Sequence, residues 1–470
     1  MKPVLLLTDL FVFALLAAGV LYIRHVRRTP QLLANWRLAL QRPAGGVSAV
    51  ILGLFLLVAL TDSLHYRRAG PSDPSTGTRT WSVETRSGLD IVLAPIAVSQ
   101  ERSYSRPLAW LGFRKETFER DGRVVRDFPR LKFGGAHLSD PPSQWAGDMA
   151  RRAAAGIAGA ALAWMLAALS IVALLARRAS ERLGATIARI AQGRTRYPVR
   201  AMLLTACVLM LAIGAAASLS TGYHVLGTDR VGASVLVVAV KSIRTAIVIG
   251  TLTTLVVLPL AVALGVTAGY FRGWIDEAIQ YLYTLLASIP DVLLIAAAVL
   301  LLQVKIDSNP ALFETALERA DARLFFLCLI LGITSFTGLC RLVRGETMKL
   351  RELEYIQAAH AFGVRSARIL ARHILPNVAP IVLISTVMQF SGFVLAEAVL
   401  SYVGVGVDPQ TASFGVMINT ARLELAATPV IWWTLATAFV FMFLIVLSAN
   451  VFADAVRDAF DPRSRLRSEP

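Results

Sequence analysis

The sequence predicts an all-α polytopic membrane protein with about nine transmembrane helices and a small external segment of mixed or β character. Hydrophobic residues make up 56% of the 470 residues and charged residues 17%, against about 45–50% and about 25% in an average soluble domain. Several apolar runs of about twenty residues are long enough to cross a hydrocarbon core of roughly 30 Å. Their apolar residues are continuous rather than alternating, which favours helices over barrel strands.

Nine apolar runs are predicted to span the membrane, and four basic clusters orient them. The runs lie at about 4–23, 45–64, 153–175, 201–219, 244–268, 279–302, 323–340, 378–403 and 430–452. The clusters lie at 24–28, 176–200 and 341–373 and in the tail sequence RSRLR. All four fall on one side of a nine-span topology, which the positive-inside rule assigns to the cytosol. The N-terminus is therefore expected on the outer side of the membrane and the C-terminus in the cytosol.

The first apolar run is predicted to be a span rather than a cleaved leader. Asp9 interrupts its apolar core, and Arg24, Arg27 and Arg28 follow directly after it. Basic residues in that position are typical of a span whose C-terminal end lies in the cytosol.

Charge, cysteine and histidine usage disfavour several other classes of protein. The net charge of +16 lies largely in short loops and tails, as expected for a membrane protein, so nucleic-acid binding is disfavoured. Cys207, Cys328 and Cys340 lie in apolar runs, without metal-site spacing or a disulfide framework. The six histidines are scattered, which disfavours a metal site.

The chain divides into five regions by composition. They are two N-terminal spans at 1–64, an external hydrophilic segment at 65–150, an extra span with a basic cytosolic linker at 151–200, a functional core at 201–460 and a cytosolic tail at 461–470. In the external segment the runs TWSVET and DIVLAPIAV are predicted to be short strands. Six aromatic residues there could seed a small core: Trp81, Trp110, Phe113, Phe118, Phe128 and Trp145. An irregular, partly ordered loop is the equal alternative.

A basic segment from Arg344 to Asn377 lies between two apolar runs of the core. It is predicted to contain two amphipathic helices separated at Gly363, because glycine can adopt the backbone angles of such a turn. On a helical wheel, one cationic arc and one apolar arc lie opposite each other: Arg365, Arg368 and Arg372 against Ala367, Leu370 and Ile374. The segment either docks into a protein socket or lies on anionic lipid, and the fixed bend favours the socket.

This segment resembles the EAA motif of ABC importer permeases, in the form found in the dipeptide, oligopeptide and nickel branch. Gln357-Ala358-Ala359, Gly363 and Leu375-Pro376 carry the resemblance, with Gln in place of the Glu of the motif. The resemblance implies a six-helix type I permease core whose coupling helix fits a groove on a cytosolic ATP-binding subunit. It also implies that the protein lies in a bacterial plasma (inner) membrane. The residues assigned to coupling are Glu354, Gln357, Ala358, Ala359, Gly363, Arg365, Arg368, Arg372, Leu375 and Pro376.

Further boxes resemble the same family in the same order, and together the resemblance covers about residues 221–465. The external box HVLGTDRVGASVL keeps Gly227, Thr228, Asp229 and Gly232, but Ala233-Ser234 stands where Arg-Asp is usual. The later boxes are SIRTAIVIG, GYFRGWID and LAEAVLSYVGVGV, followed by the tail DAVRDAFDPR. The second span loosely resembles the first span of the family, which implies that an inserted pair of spans splits the core.

Four polar or helix-breaking residues in predicted spans are candidates for a gate or pathway: Pro290, Asp291, Gln389 and Glu397. Pro290 removes a helical hydrogen bond midway along a span, and a carboxylate at that depth normally faces protein or water. Asp291 either lines the pathway at this kink or pairs with a sister subunit. Gln389 has the same two alternatives, whereas Glu397 is expected near the outer end, where gate packing is favoured over substrate binding.

The chain has no sequence motif for ATP hydrolysis or other catalysis. It contains no GxxxxGK[ST], HExxH or GxSxG pattern. It is therefore expected to be a non-catalytic subunit that binds no cofactor, with ATP used by partner subunits. The resemblance implies a sister permease, two cytosolic ATPase domains and an external binding protein in the bilayer assembly, and peptides or similar solutes as cargo. A stand-alone secondary transporter or channel and a membrane scaffold with an external sensing segment are the alternatives.

Overall fold

Long helices account for most of the architecture, and the strands all precede residue 128. The computed structural model describes residues 2–72, 79–120, 123–309, 313 and 315–460. In this part of the chain, seven single helices are long and apolar enough to span a membrane, and two bent pairs raise the number to nine. The predicted all-α polytopic class with about nine spans is confirmed. The tail at 461–470, with the RSRLR cluster, lies outside the described residues.

The N-terminal region contains two spans joined by a short helix. Its elements are β1 (Lys2–Val4), α1 (Leu7–Arg28), α2 (Pro30–Gln41) and α3 (Pro43–Asp62). Proline begins both α2 and α3, where its missing N–H would have no helical partner in any case. α1 and α3 correspond to the first two predicted spans.

The described part of the 65–150 segment contains strands and a helix. It contains β2 (His65–Ser72), β3 (Arg79–Ser87), α4 (Gly88–Ala97), β4 (Glu116–Arg120) and β5 (Arg123–Asp127). β1, β2 and β3 pair antiparallel in that order, with Pro3 opposite Tyr66 and Tyr66 opposite Arg86, and β4 pairs with β5.

One strand prediction in this segment holds and the other is wrong. TWSVET lies within β3, but DIVLAPIAV forms most of α4. A capping box causes the difference, because the Ser87 side chain accepts from the Asp90 backbone N–H while the Asp90 carboxylate accepts from the Ser87 backbone N–H. A short apolar run does not distinguish strand from helix by itself, and here the capping box starts the helix.

A helical hairpin follows the 65–150 segment. It consists of α5 (Pro141–Ala179), α6 (Leu183–Ala191) and α7 (Val199–Leu219). α5 and α7 approach closely at Gly156 and Gly214, where a Cβ on either glycine would lie within 2.7 Å of the facing backbone. α7 in turn packs against α3. The hairpin contains the third and fourth predicted spans.

The remaining helices form the bundle at 235–460. They are α8 (Val235–Phe271), α9 (Gly273–Ala287), α10 (Asp291–Asp307), α11 (Ala316–Ser335), α12 (Thr337–Arg351), α13 (Glu354–Ala361), α14 (Ser366–Ile369), a π-helical turn (Leu370–Ile374), α15 (Leu375–Val403), α16 (Phe414–Leu425) and α17 (Trp433–Phe460). α8 is the central helix and packs against α3, α11, α12 and α15. The main core cluster includes buried residues from these helices and from the 344–377 segment.

Two predicted spans are not straight helices. The run at 279–302 is divided between α9 and α10, which meet at an angle of 86°, and α11 and α12 meet at 43°. The first break is at Pro290, which cannot donate a helical hydrogen bond. The predicted kink is therefore a sharp corner between two helices rather than a bend within one.

Candidate functional site

The 344–377 segment folds as a helical elbow. α12 and α13 contribute its first arm, and α14 with the π-helical turn leads directly into α15. Gly363 forms the corner with a φ of +73°, a left-handed conformation that favours glycine. The corner closes with a hydrogen bond from the Val364 N–H to the Ala359 carbonyl at 3.1 Å. Thus the chain turns at the predicted residue, although an additional break separates α12 from α13.

Three buried isoleucines fix this elbow to the bundle. Ile356 is 2% exposed, and Ile369 and Ile374 are fully buried in the main core cluster. The wheel placed Ala367 and Leu370 with Ile374 on the apolar side, but Ala367 is exposed and Leu370 is half-buried. The π-helical turn, in which the Leu375 N–H donates to the Leu370 carbonyl, shifts the helical register and brings Ile369 inward.

The opposite surface of the elbow is open to solvent or to a partner. Of the ten residues assigned to coupling, Ala359 is half-buried and nine are exposed: Glu354, Gln357, Ala358, Gly363, Arg365, Arg368, Arg372, Leu375 and Pro376. Tyr355 and Phe362 add aromatic area, and Phe362 is 87% exposed. A surface that combines exposed aromatic rings and arginines on a rigidly anchored turn is typical of a protein docking site. We call this surface the elbow face.

The elbow is braced against α8 and α9. The Arg344 guanidinium donates two hydrogen bonds to the Asp276 carboxylate, at 2.6 and 2.7 Å. α12 also lies directly against α8, because a Cβ at Gly265 or Gly269 would come within 2.7 Å of the α12 backbone. The GYFRGWID box therefore supplies both the glycine and the carboxylate of this brace. Motion of the elbow would be transmitted to α8 and α9 through close contacts.

The predicted external box forms a tight turn that other parts of the chain hold in place. Gly227 and Gly232 adopt φ values of +75° and +76°, and the Asp229 carboxylate accepts from two backbone N–H groups within the turn. Thr228 is fully buried and accepts a 2.6 Å hydrogen bond from the Ser105 N–H. Its carbonyl accepts from the Trp433 indole at 3.0 Å. The box thus connects the start of the core to α17 and to the 65–150 segment.

The carboxylate of Glu101 joins separate parts of the 65–150 segment and lies near His224, which precedes this turn. It accepts hydrogen bonds from the backbone N–H groups of Lys132, Phe133 and Gly134 at 2.8 to 3.0 Å, and His224 Nε2 lies 3.6 Å away. Burial alone would raise the pKa of Glu101, but His224 and the three N–H groups lower it to about 2. The carboxylate is therefore charged at neutral pH.

A second polar cluster lies where α1 and α8 begin and α3 ends. The Arg244 side chain donates to the Asp9 carboxylate at 2.6 Å, to the Thr8 hydroxyl at 2.8 Å and to the Ser63 hydroxyl at 3.1 Å. Asp9 also contacts His65 at 2.7 Å, and all of these side chains are buried. Asp321 of α11 accepts from the Thr8 N–H at 3.0 Å. The cluster joins α1 and α3 to α8 and α11.

The four gate candidates lie in three different surroundings. Pro290 ends the corner between α9 and α10, and Asp291 is exposed in the first turn of α10, where a negative charge is favourable. Gln389 is half-buried in α15, and its Oε1 has no hydrogen-bond partner among the described residues. Glu397 is buried, accepts from the Ser401 hydroxyl at 2.7 Å and lies against Gly415 of α16. These positions do not form one cluster.

Sequence reasoning located several residues that organise these sites but not their partners. Arg244 lies in the box SIRTAIVIG, Asp276 lies in the box GYFRGWID, and Arg344 begins the basic segment. Their partners lie far away in the sequence, so no local pattern reveals the pairing. Glu101 lies in none of the boxes and was missed. The exposure of Phe362 is visible only in the structure. Among the described residues, no group of three or more His, Cys, Asp or Glu could hold a metal ion.

The fold defines a class of protein: a multi-pass membrane protein with an exposed helical elbow between two of its spans. Residues 261–466 match the family described as the binding-protein-dependent transport system inner membrane component. The oligopeptide transport system permease protein OppC of Mycobacterium tuberculosis is 33% identical over 242 residues, which covers 52% of this chain and 77% of that protein. The glutathione transport system permease protein GsiD of Pectobacterium atrosepticum is 30% identical over 51% and 73% of the two chains. The dipeptide transport system permease protein DppC of Bacillus subtilis is 27% identical over 52% and 69%.

The chain belongs to the binding-protein-dependent transport system inner membrane component family. It is the permease component of an ABC importer and a non-catalytic subunit. The resemblance seen in the sequence is thereby confirmed. The family model begins within α8, so α1 to α7 and the 65–150 segment lie before it.

Proposed function

We propose that this chain forms half of a translocation pathway for peptides or similar small solutes and is driven by cytosolic ATPases that bind the elbow face. The relatives OppC, DppC and GsiD are named for transport of oligopeptides, dipeptides and glutathione, which supports a peptide-like cargo. The exposed aromatic and cationic surface on a buried isoleucine anchor is the observation that carries the ATPase proposal.

In this proposal the membrane orientation is the one that the basic clusters favour. The elbow and the 176–200 linker lie in the cytosol, and the 65–150 segment lies outside with the 227–232 turn. α8 supports this arrangement, since its Arg244 cluster and its Gly269 contact lie 25 residues apart, or about 37 Å along a helix. That length suits a helix that connects the two faces of a bilayer.

The proposed assembly contains this chain, a sister permease, two ATPase domains and an external binding protein. ATP is bound and hydrolysed by the ATPase domains, and this chain holds no cofactor. Closure of the ATPase dimer would push the elbow face and, through the brace of Arg344 on Asp276, tilt α9 and α8. Pro290 and Asp291 at the α9–α10 corner and Gln389 on α15 are the proposed pathway positions, whereas Glu397 packs the loop before α16.

Uptake by reconstituted vesicles tests this function. Vesicles that contain this chain with its sister permease and ATPases should accumulate a labelled peptide only when ATP and the binding protein are supplied. A variant ATPase without hydrolytic activity is the control. Accumulation that persists with no ATPase in the vesicle, driven by an ion gradient, would contradict the proposal and identify a secondary transporter.

A further inference from the structure

The linker between α5 and α7 is the most basic part of the described chain that the transport function does not explain. Residues 176–200 contain seven arginines and a single acidic residue, Glu181. Glu181 pairs with Arg189 at 2.7 Å, and Arg200 donates to the Ala191 carbonyl at 3.2 Å. Five arginines are exposed and have no ion pair among the described residues: Arg177, Arg178, Arg182, Arg194 and Arg196.

Two residues with left-handed backbone conformations define the shape of the linker. Ser180 ends α5 with a φ of +53°, and Gly193 follows α6 with a φ of +70°. α6 turns Thr186 and Ile190 inward against α5 and α7 and leaves Leu183 and Ile187 about half exposed, at 46% and 48%. The exposed face of α6 therefore carries an apolar pair, with arginines at both ends of the helix.

The two long helices beside the linker hold it at the membrane surface. α7 has no buried residue and α5 is largely exposed, so the apolar sides of this hairpin are available to face the bilayer. Arg177 and Arg178 end α5, and Arg200 lies in the first turn of α7. A short helix with exposed leucine and isoleucine beside arginine clusters is the pattern of a segment that lies in the headgroup region of anionic lipid.

We propose that residues 176–200 form a binding site for the headgroups of anionic phospholipids. The five unpaired arginines contact lipid phosphates, and Leu183 and Ile187 insert between the upper acyl carbons. Charge complementarity selects this occupant, because the net charge of the linker is +6 (seven arginines less one glutamate). The site lies before the residues matched by the family model, so it belongs to the inserted hairpin of this chain.

Native mass spectrometry of the full-length protein tests the site. The delipidated protein in detergent is titrated with phosphatidylglycerol or with phosphatidylcholine. We expect retention of phosphatidylglycerol at concentrations where phosphatidylcholine is not retained. Changing the five unpaired arginines to Gln should raise the phosphatidylglycerol concentration needed by at least about tenfold. Changing the same five to Lys keeps the charge and should preserve most of the binding.

A matched control removes five exposed cations from the 65–150 segment: Arg102, Arg106, Arg114, Lys115 and Arg126 are changed to Gln. This control should retain phosphatidylglycerol as the wild type does. If the linker variant with all five arginines changed to Gln fails to insert, the single variants Arg182→Gln and Arg196→Gln are titrated instead. Each is expected to lose less phosphatidylglycerol binding than the variant with five changes. Equal retention of the two lipids by the wild type, or unchanged retention of phosphatidylglycerol by the linker variants, would overturn the proposal.

Discussion

Glu101 accepts from three backbone N–H groups of the 65–150 segment and lies near His224, and its ionisation stabilises that arrangement. Its pKa falls from an ordinary value of 4.5 to about 2 in the folded protein. A lowered carboxyl pKa means that the stabilisation is fully present above pH 4.5 and is lost as the pH falls through about 2. Acid should therefore loosen this segment before it affects the apolar bundle.

Glu101→Gln should remove this pH dependence. At pH 7 the variant should be less stable by about 1–3 kcal/mol, because neutral hydrogen bonds replace those to a charged oxygen. Limited proteolysis of the 65–150 segment between about pH 2 and pH 7 measures both effects. The exposed Glu119, changed to Gln, is the control and should behave as the wild type does. An identical pH profile for Glu101→Gln and wild type would contradict the assignment.

Gly269 carries the contact between α8 and α12, and a single added methyl group tests it. A Cβ at this position would lie 2.7 Å from the Arg344 carbonyl and from the Thr347 Cβ. Gly269→Ala should lower the melting temperature and cost about 1–3 kcal/mol, as overpacking usually does. Gly345→Ala on α12 is the matched control, since nothing lies within 4 Å of its added carbon. Equal melting temperatures for the two variants would show that the helices are not packed this closely.

At the scale of elements, α1 is held to the core by charge as well as by apolar packing. Asp9 and Arg244 are both buried, and the rings of Phe11 and Phe325 lie 5.1 Å apart between α1 and α11. Because Asp9 is fully buried, removing its cationic partner leaves a charge with inadequate compensation.

Arg244→Gln should therefore weaken the docking of α1 by about 3–5 kcal/mol. Disulfide formation between Phe11→Cys and Phe325→Cys, in a background without the native cysteines, reports whether α1 stays in place. Cross-linking should fall in Arg244→Gln and partly recover when Asp9→Asn is added, since the uncompensated charge is then gone. Full cross-linking in the single variant would show that apolar packing alone holds α1.

Sequence patterns predicted the helical elements well and the irregular joints poorly. The backbone groups of an apolar run of about twenty residues must be hydrogen-bonded within the bilayer, which requires a helix, so the number of spans could be predicted. The turn at Gly363 could be predicted because glycine adopts the backbone angles of such a turn. The angle of the corner at Pro290 depends on how the helices pack, which the sequence does not show. The π-helical turn before Pro376 brings Ile369 inward, and no periodicity in the sequence indicates that turn. The partners of Glu101 and Arg244 depend on the tertiary fold, so only the structure reveals them.

At the scale of the whole molecule, α8 connects the features that matter for transport. Near its start Arg244 joins α1, α3 and α11, and near its end Gly269 contacts α12 beside the elbow face. The 65–150 segment precedes this helix, and Thr228 connects it to α17 through hydrogen bonds with Ser105 and Trp433. We expect the elbow, α8 and the 227–232 turn to move as coupled parts when an ATPase binds.

Binding of the ATPase to the elbow face tests the central claim most directly. A pull-down of the ATPase subunit should succeed with wild type and fail with Gly363→Trp or with Arg365, Arg368 and Arg372 changed together to Glu, while all three proteins insert equally. Phe362→Ala, which removes an 87% exposed ring, should weaken binding by about tenfold, as loss of an aromatic anchor does. ATP-dependent uptake should fall in parallel. Unchanged ATPase binding and uptake in the glycine and arginine variants would contradict the account and leave the elbow face as a surface for lipid.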